Sequence, residues 1–205
     1  MSAAPVDITF LLDRSGSMRR IAEATIQGFN QFLKDRQQAD GEGRMTLVQF
    51  NDKGDALYLG IPVREIVPLD AASYRPWGNT ALLDALGWAV EQTKARLAVA
   101  GGARKVVFVV LTDGVENASR HYSRSQVFDM ITRQREQHGW EFLFLGANQD
   151  AIGEAGKVGI DWRSASNFEA SAKGDTRCVS YGFRNREIVR RTPSDGSSDR
   201  TPESA

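Results

Sequence analysis

Three short polar segments carry the residue types that could bind a divalent cation. They are residues 13–17 (Asp-Arg-Ser-Gly-Ser), 78–80 (Gly-Asn-Thr) and 112–114 (Thr-Asp-Gly). Two carboxylates that lie close together repel each other and tend to keep their protons, and a shared cation removes that cost. A set of donors made only of oxygen suits Mg²⁺, Mn²⁺ or Ca²⁺ and suits zinc poorly. The candidate metal ligands are therefore Asp13, Ser15, Ser17, Thr80 and Asp113.

The segments around these residues alternate between predicted strands and helices. Strands are predicted at residues 6–12, 44–51, 56–63, 105–111 and 140–145, with a weak strand at 165–168. Helices are predicted at 19–38, 80–100, 123–137, 151–157 and 175–189. The short link at 52–55 predicts one antiparallel hairpin between the second and third strands. This pattern predicts an α/β, doubly wound, mostly parallel sheet with one antiparallel edge strand and helices on both faces.

The predicted sheet would bring the two aspartates together. The run at 106–111 has no polar alternation, so helices should cover both faces of that strand. If it neighbours the strand at 6–12, Asp13 and Asp113 lie side by side at the carboxyl edge. Ligands of doubly wound sheets bind at that edge, where the direction of winding reverses. Gly16 would permit the tight bend that turns the hydroxyls of the first segment inward.

Each candidate ligand also has a plain structural interpretation. Ser15 or Ser17 could cap the helix that begins near residue 19, and Thr80 could cap the next helix. Asp113 could simply lie in a turn before a glycine. Capping and turn roles are compatible with metal binding. The combination of two segments directly after strands with one at the start of a helix favours the metal site.

At this point the sequence resembles a known family. Asp13-x-Ser15-x-Ser17, Thr80 in Gly-Asn-Thr, and Asp113 in Leu-Thr-Asp-Gly match all five positions of the metal-ion-dependent adhesion site of von Willebrand factor type A (vWA) domains. This resemblance implies that the two serines bind the metal directly. The threonine would bind it directly or through water, and the two aspartates largely through water.

The resemblance extends over residues 6–189 and implies a Rossmann-like vWA fold. It divides the chain into a vWA domain at 1–189 and a tail at 190–205, which is predicted to be disordered because it lacks large apolar residues. It further implies a protein-binding module that holds Mg²⁺, or Mn²⁺ or Ca²⁺. An Asp or Glu of a partner protein would complete the metal coordination. The chain resembles the stand-alone, intracellular bacterial or archaeal branch of the family, and we expect it to belong there.

Loop residues beside these segments are candidates for the rim that contacts the partner. They are Arg14, Met18, Trp77, Asn79, Glu116 and Asn117. Trp77 is the strongest individual candidate, because an aromatic side chain beside a metal suits the centre of an interface. For each of the others, a solvated or packed side chain is the alternative interpretation.

Composition narrows the classes of function. The chain has 26 Lys plus Arg and 26 Asp plus Glu, a balance that argues against nucleic-acid binding. The chain has a single cysteine, Cys178, so an internal disulfide is excluded. Cys178 falls on the apolar side of the last predicted helix and is expected to pack in the core. No basic residue precedes the first apolar run, and no stretch approaches the ~18 apolar residues of a membrane span. We therefore expect a cytoplasmic protein with no membrane partner.

Two other functions compete with the binding module. Haloacid-dehalogenase-type phosphatases keep their nucleophilic Asp after the first strand of a similar sheet, where Asp13 lies here. Those enzymes need a second Asp two residues later, and this chain has Ser15 there. No general base or activated nucleophile is identified, so we expect no enzymatic activity. A regulatory subunit of an ATPase complex differs from the binding module only in its partner, and both possibilities stay open.

Overall fold

The computed structural model describes residues 5–39, 41–101, 104–113, 115–147 and 151–167. The strands are β1 Val6–Asp13, β2 Gly43–Phe50, β3 Gly54–Pro62, β4 Lys105–Thr112, β5 Glu141–Gly146 and β6 Ala165–Asn167. The α-helices are α1 Ala22–Gln37, α2 Leu82–Ala100, α3 Arg124–His138 and α4 Ala151–Lys157. Short 3-10 turns occupy Gly16–Ile21, Val63–Glu65 and Trp162–Ser164.

The strands form one six-stranded sheet in the order β3-β2-β1-β4-β5-β6. β2 and β3 pair antiparallel, and the other neighbours pair parallel. This arrangement confirms the predicted doubly wound sheet with one antiparallel edge strand. β1 and β4 are neighbours, in register from Val6 opposite Lys105 to Leu12 opposite Leu111. The chain builds outward from β1 to β3 and then returns to β4 on the other side, so the winding reverses between β1 and β4.

The side chains of β4 alternate between two separate cores. Phe108 and Val110 pack with α2 and α3, whereas Val109 and Leu111 pack on the opposite face with α1. Both faces of this strand are therefore covered, as its unbroken apolar run predicts. On the α1 face, Phe10 of β1 lies between two phenylalanines of α1, with ring centroids 5.2 and 5.3 Å away. Within the described part of the chain, every helix is too short or too polar to cross a bilayer.

Helix α2 is fixed to β1 by buried polar contacts. Asp7 is fully buried and forms an ion pair with Arg96, whose Nη2 donates to the carboxylate at 2.6 Å. One turn earlier, the hydroxyls of Thr9 and Thr93 lie 3.0 Å apart. A buried carboxylate without a partner would cost several kcal/mol, about 3–5. These contacts therefore set the position of the helix that follows the Gly-Asn-Thr loop.

Two predicted helices begin later than expected. The helix predicted from residue 19 starts as a 3-10 turn, in which the Met18 N–H donates to the Ser15 carbonyl at 3.1 Å. The helix predicted from Thr80 begins at Leu82, because the N–H groups of Leu83 and Asp84, which a helix beginning at Thr80 would bond to the carbonyls of residues 79 and 80, donate instead to Glu116 and Ser119. The other described elements match the predictions within two residues. The predicted helix at 175–189, which includes Cys178, and the tail at 190–205 lie outside the described residues.

Candidate metal centre

Asp13 is the last residue of β1 and is fully buried. One carboxylate oxygen accepts the backbone N–H of Ser15 at 2.6 Å, and the other accepts the hydroxyl of Thr112 at 2.5 Å. Burial nevertheless raises the pKa of Asp13 to about 6, because these hydrogen bonds only partly offset desolvation and the charge of Asp113 adds to it. The structure thus orients a carboxylate that is costly to ionise alone. A bound cation would remove that cost.

Ser15 and Ser17 connect this buried carboxylate to the second aspartate, Ser15 through its backbone N–H and then its hydroxyl. The Ser15 and Ser17 oxygens lie 3.1 Å apart, and the Ser17 hydroxyl donates to Asp113 at 2.6 Å. Ser15 is buried, whereas Ser17 is exposed. Four of the five predicted ligands therefore form one cluster of oxygen atoms that runs from the core to the surface. We call it the oxygen cluster.

Thr80, the fifth predicted ligand, lies in a loop that backbone hydrogen bonds hold between the two loops of the oxygen cluster. Its own backbone makes two bonds with Asn117: Thr80 N–H donates to the Asn117 side chain at 2.9 Å, and its carbonyl accepts Asn117 N–H at 3.0 Å. On the other side, Gly16 N–H donates to the Gly78 carbonyl at 2.9 Å. The Thr80 side chain is buried. The Gly-Asn-Thr loop is thus held between the loops that carry Ser15 and Asp113.

Gly78 is required by the conformation of that loop. Its φ is +78°, in the left-handed region that favours glycine. A Cβ atom there would lie 2.5 Å from the carboxylate of Asp52, which accepts the N–H of Asn79 at 3.1 Å. The β2–β3 turn therefore supports the loop at a distance that only glycine allows.

Two further side chains hold the loops, and the sequence analysis missed both. Asn51 follows β2 and is fully buried; its amide donates to the Trp77 carbonyl and its side-chain oxygen accepts Lys53 N–H, both at 3.0 Å. The Tyr74 hydroxyl donates to the Asp13 carbonyl at 2.5 Å. Asn51 had a readable signal, because a polar residue directly after a buried parallel strand lies at the carboxyl edge. Tyr74 gave no such signal, since it lies in a long irregular loop.

The loop after β4 is bonded to the first turn of α2 by two carboxylates. Glu116 accepts four hydrogen bonds of 2.7–3.0 Å, from Leu83 N, Ala118 N, Ser119 N and Ser119 Oγ. Asp84 accepts the N–H groups of residues 120–122 at 2.8–2.9 Å. Although partial burial opposes it, this backbone hydrogen bonding lowers the pKa of Asp84. Glu116 therefore caps helix α2, and its carboxylate is turned inward.

The predicted rim residues divide into exposed and internal groups. Trp77 is 47% exposed and Asn79 is also exposed. Arg14 is mostly covered and forms an ion pair with Asp55 across the β2–β3 turn. The expectation that Met18 lies at the rim is corrected by the structure. Its side chain is fully buried in the α1-side core and offers no surface to a partner.

Two residues of the loop after β4 differ from the predicted rim: Asn117 supports another loop, and Val115 was not predicted. Asn117 is exposed, but its side-chain oxygen accepts the Thr80 N–H, so it acts first as a support for the loop. Val115 is 57% exposed on the loop after Asp113 and was not predicted. An apolar side chain that exposed beside the oxygen cluster gives the rim a second hydrophobic position besides Trp77.

The donors of the oxygen cluster suit a hard divalent cation. Among the described residues, no group of three or more His, Cys, Asp or Glu side chains could hold a metal ion. The Ser15 and Ser17 hydroxyls, which bond to each other and to Asp113, are the further side-chain oxygens of the cluster. Carboxylate and hydroxyl oxygens are ligands that Mg²⁺, Mn²⁺ and Ca²⁺ accept and zinc disfavours.

Solved structures with the same fold include several vWA domains. Proximal thread matrix protein 1 from the mussel byssus matches with a TM-score of 0.59 and 18% identity, over 89% of this chain and 45% of that chain. The von Willebrand factor type A protein of Catenulispora acidiphila matches with a TM-score of 0.60 and 15% identity, over 89% of this chain and 42% of that chain. The manganese-loaded TRAP protein of Plasmodium vivax matches with a TM-score of 0.56 and 17% identity, over 82% of this chain and 69% of that chain.

These likenesses establish the vWA fold for this chain. The chain spans less than half the length of the first two matched structures, at 45% and 42%. No protein-family model and no curated protein matches its sequence.

Proposed function

We propose that this domain binds a protein partner through a divalent cation held at the oxygen cluster. The observation that carries the proposal is the hydrogen-bonded chain from buried Asp13 through Ser15 and Ser17 to Asp113. It lies where the winding of the sheet reverses, which is where doubly wound folds bind their ligands. The manganese-loaded TRAP protein, which shares the fold, supports a divalent metal.

Each residue of the cluster would have a distinct part in holding the metal. Ser15 and Ser17 would supply neutral hydroxyl ligands, while Asp13 and Asp113 would supply the negative charge, largely through water. Thr80 would contribute its hydroxyl from the adjoining loop. When bound, the cation would supply an electrophilic position that an Asp or Glu of the partner could occupy. Hydroxyl ligands favour this role because they leave most of the positive charge available to an incoming carboxylate.

We further propose that the domain acts by binding and not by catalysis. The metal it holds would be Mg²⁺, and its partner would belong to an intracellular complex. An enzyme using Ser15 or Ser17 would need a base to activate the hydroxyl. In the described structure the two hydroxyls bond to each other, the Ser17 hydroxyl donates to Asp113, and the backbone N–H of Ser15 donates to Asp13. Asp13 accepts the Thr112 hydroxyl and the backbone N–H of Ser15, whereas Asp113 accepts the Ser17 hydroxyl at the exposed end of the cluster. This arrangement fits a ligand set better than a nucleophile with its base.

The test is a calorimetric titration of Mg²⁺, Mn²⁺ and Ca²⁺ into metal-stripped protein. We expect one ion per chain in the parent and no binding in a Ser15→Ala/Ser17→Ala variant that stays folded. Ser125→Ala, an exposed serine of α3, is the matched control and should bind as the parent does. The titration is repeated with acetate, which stands in for the partner's carboxylate. Absence of binding in the parent under both conditions would overturn the proposal.

A further inference from the structure

The longest irregular segment that the structure describes, residues 66–81, contains the Gly-Asn-Thr loop at its end. Segments of this length without helices or strands are uncommon in compact domains, and ordered ones usually have a function. Side-chain amides from elsewhere in the chain donate to four backbone carbonyls of this segment. They belong to Asn30, Gln37, Gln49 and Asn51. The segment is therefore fixed by specific side chains, although it has no regular secondary structure.

Asn51 holds the end of the segment that carries Thr80. Its side-chain amide donates to the Trp77 carbonyl at 3.0 Å, and its backbone carbonyl accepts the Ala81 N–H at 2.9 Å. The Gly-Asn-Thr loop lies between these two bonds. Asn51 is fully buried, and its side-chain oxygen accepts the Lys53 N–H at 3.0 Å. Both ends of the amide are thus bonded, and its orientation is fixed.

The loop that Asn51 holds also contacts the loop that carries the two serines of the oxygen cluster. The Gly16 N–H donates to the Gly78 carbonyl at 2.9 Å, and the Trp77 N–H donates to the Arg14 carbonyl at 2.8 Å. Gly16 lies between the two serines in the sequence. A shift of the main chain at Trp77 would therefore move Thr80 relative to the serine hydroxyls.

We propose that Asn51 is a positioning residue for the metal site: its amide fixes the Gly-Asn-Thr loop and thereby sets how tightly the oxygen cluster binds a divalent cation. This inference rests on the proposed function, because the affinity that it concerns is that of the proposed metal. Asn51 acts through the main chain of Trp77 and Ala81, not as a ligand. Loss of hydrogen-bonding groups that orient metal ligands typically lowers metal affinity about 10–100-fold.

Gln49 provides a matched control on the same strand. It lies two residues before Asn51, is also buried, and donates its side-chain amide to the Ser73 carbonyl at 3.0 Å. Gln49→Ala and Asn51→Ala therefore each remove a buried amide that bonds to the same irregular segment. Asn51 bonds beside the Gly-Asn-Thr loop, whereas Gln49 bonds farther from it. A general loss of packing would affect both variants, and a loss of positioning would affect Asn51→Ala.

Two measurements test the proposal. The first is calorimetric titration of Mg²⁺ into the parent and both variants, with urea denaturation of each protein. The second is NMR hydrogen exchange of the Gly16 and Thr80 amides in the metal-free proteins. These amides donate to the Gly78 carbonyl and to the Asn117 side chain, so their exchange rates report whether the Gly-Asn-Thr loop is held in place.

We expect Asn51→Ala to bind Mg²⁺ about tenfold more weakly than Gln49→Ala, and to exchange the Gly16 and Thr80 amides faster. Equal Mg²⁺ affinity in the two variants, or equal exchange of these amides, would overturn the proposal. If Asn51→Ala does not fold, Asn51→Ser replaces it, with Gln49→Ser as its control. The serine side chain stays polar but is shorter than the amide, so it still loses the bond to the Trp77 carbonyl.

Failure of this inference and failure of the proposed function give different results. A parent that binds Mg²⁺, together with two alanine variants that bind it equally, overturns the role of Asn51 and leaves the metal site standing. A parent that binds no Mg²⁺, with or without acetate, overturns the proposed function and with it the metal role of Asn51.

Discussion

The Thr112 hydroxyl donates to the Asp13 carboxylate at 2.5 Å, joining the last residues of β4 and β1 at the point where the sheet reverses its winding. This bond holds one carboxylate oxygen in the core, while the loop after β1 carries the serines toward the surface. It also stabilises the ionised form of Asp13, so that it opposes the effect of burial. Thr112 is therefore a positioning residue for the oxygen cluster.

Replacing Thr112 with Val should weaken metal binding more than its effect on stability alone would explain. The variant loses a charged hydrogen bond, and we expect it to destabilise the fold by about 1–3 kcal/mol and to lower Mg²⁺ affinity about tenfold. Thr93→Val is the matched control, since it removes a buried hydroxyl contact with Thr9 far from the cluster. Equal Mg²⁺ affinity in the two variants would contradict a positioning role for Thr112.

Metal binding should strengthen as the pH rises through about 6. Burial raises the pKa of Asp13 from 3.8 to about 6. Ionisation of this carboxyl group therefore lowers the free energy of unfolding of the metal-free protein as the pH rises between these two values. A cation binds the ionised form and recovers that stability. The thermal shift produced by Mg²⁺ should thus be larger near pH 7.5 than near pH 5, both values chosen about one unit or more beyond the folded pKa.

Asp13→Asn provides the control for this pH dependence. The amide cannot titrate, so the difference in unfolding free energy between this variant and the metal-free parent should change with pH over the same interval. A Mg²⁺-induced shift of the parent that is the same at both pH values would show that Asp13 does not compete with protons for the cation.

Glu116→Ala should act on stability. Its carboxylate accepts four hydrogen bonds that join the loop after β4 to the start of α2, so we expect a loss of about 2 kcal/mol in urea denaturation. Glu136→Ala, at an exposed position of α3, should change stability by less than about 0.5 kcal/mol. If Glu116→Ala leaves stability unchanged yet weakens binding of an acidic peptide, Glu116 would contact the partner at the rim, as the sequence predicted.

Met18 and Trp77 should show opposite effects although both were predicted at the rim. Met18→Ala removes a fully buried side chain and should cost about 2–5 kcal/mol of stability. Trp77→Ala removes a side chain that is 47% exposed, so it should change stability by less than about 1 kcal/mol and weaken capture of an acidic peptide. Denaturation and peptide binding measured on both variants check the pair, and a reversed pattern would contradict a buried role for Met18 and a surface role for Trp77.

Local pattern was sufficient to predict most of the described fold. The unbroken apolar run of β4 predicted a strand covered on both faces, and the short link at 52–55 predicted the hairpin. Helix starts were less predictable, because they depend on where backbone N–H groups find partners. The N–H groups of Leu83 and Asp84 bond to Glu116 and Ser119, which are distant in the sequence, so α2 begins two residues later than its apolar pattern indicates.

By itself, the sequence determined the order of strands and helices and the oxygen-donor residues at their ends, since both follow from the types and spacing of neighbouring residues. Only the tertiary structure decided which donors meet and which side chains face a partner. The pairing of β1 with β4 brings Asp13 to Thr112, and packing buries Met18 while it leaves Trp77 exposed. Such contacts join residues that no local periodicity relates, so only the folded chain can define them.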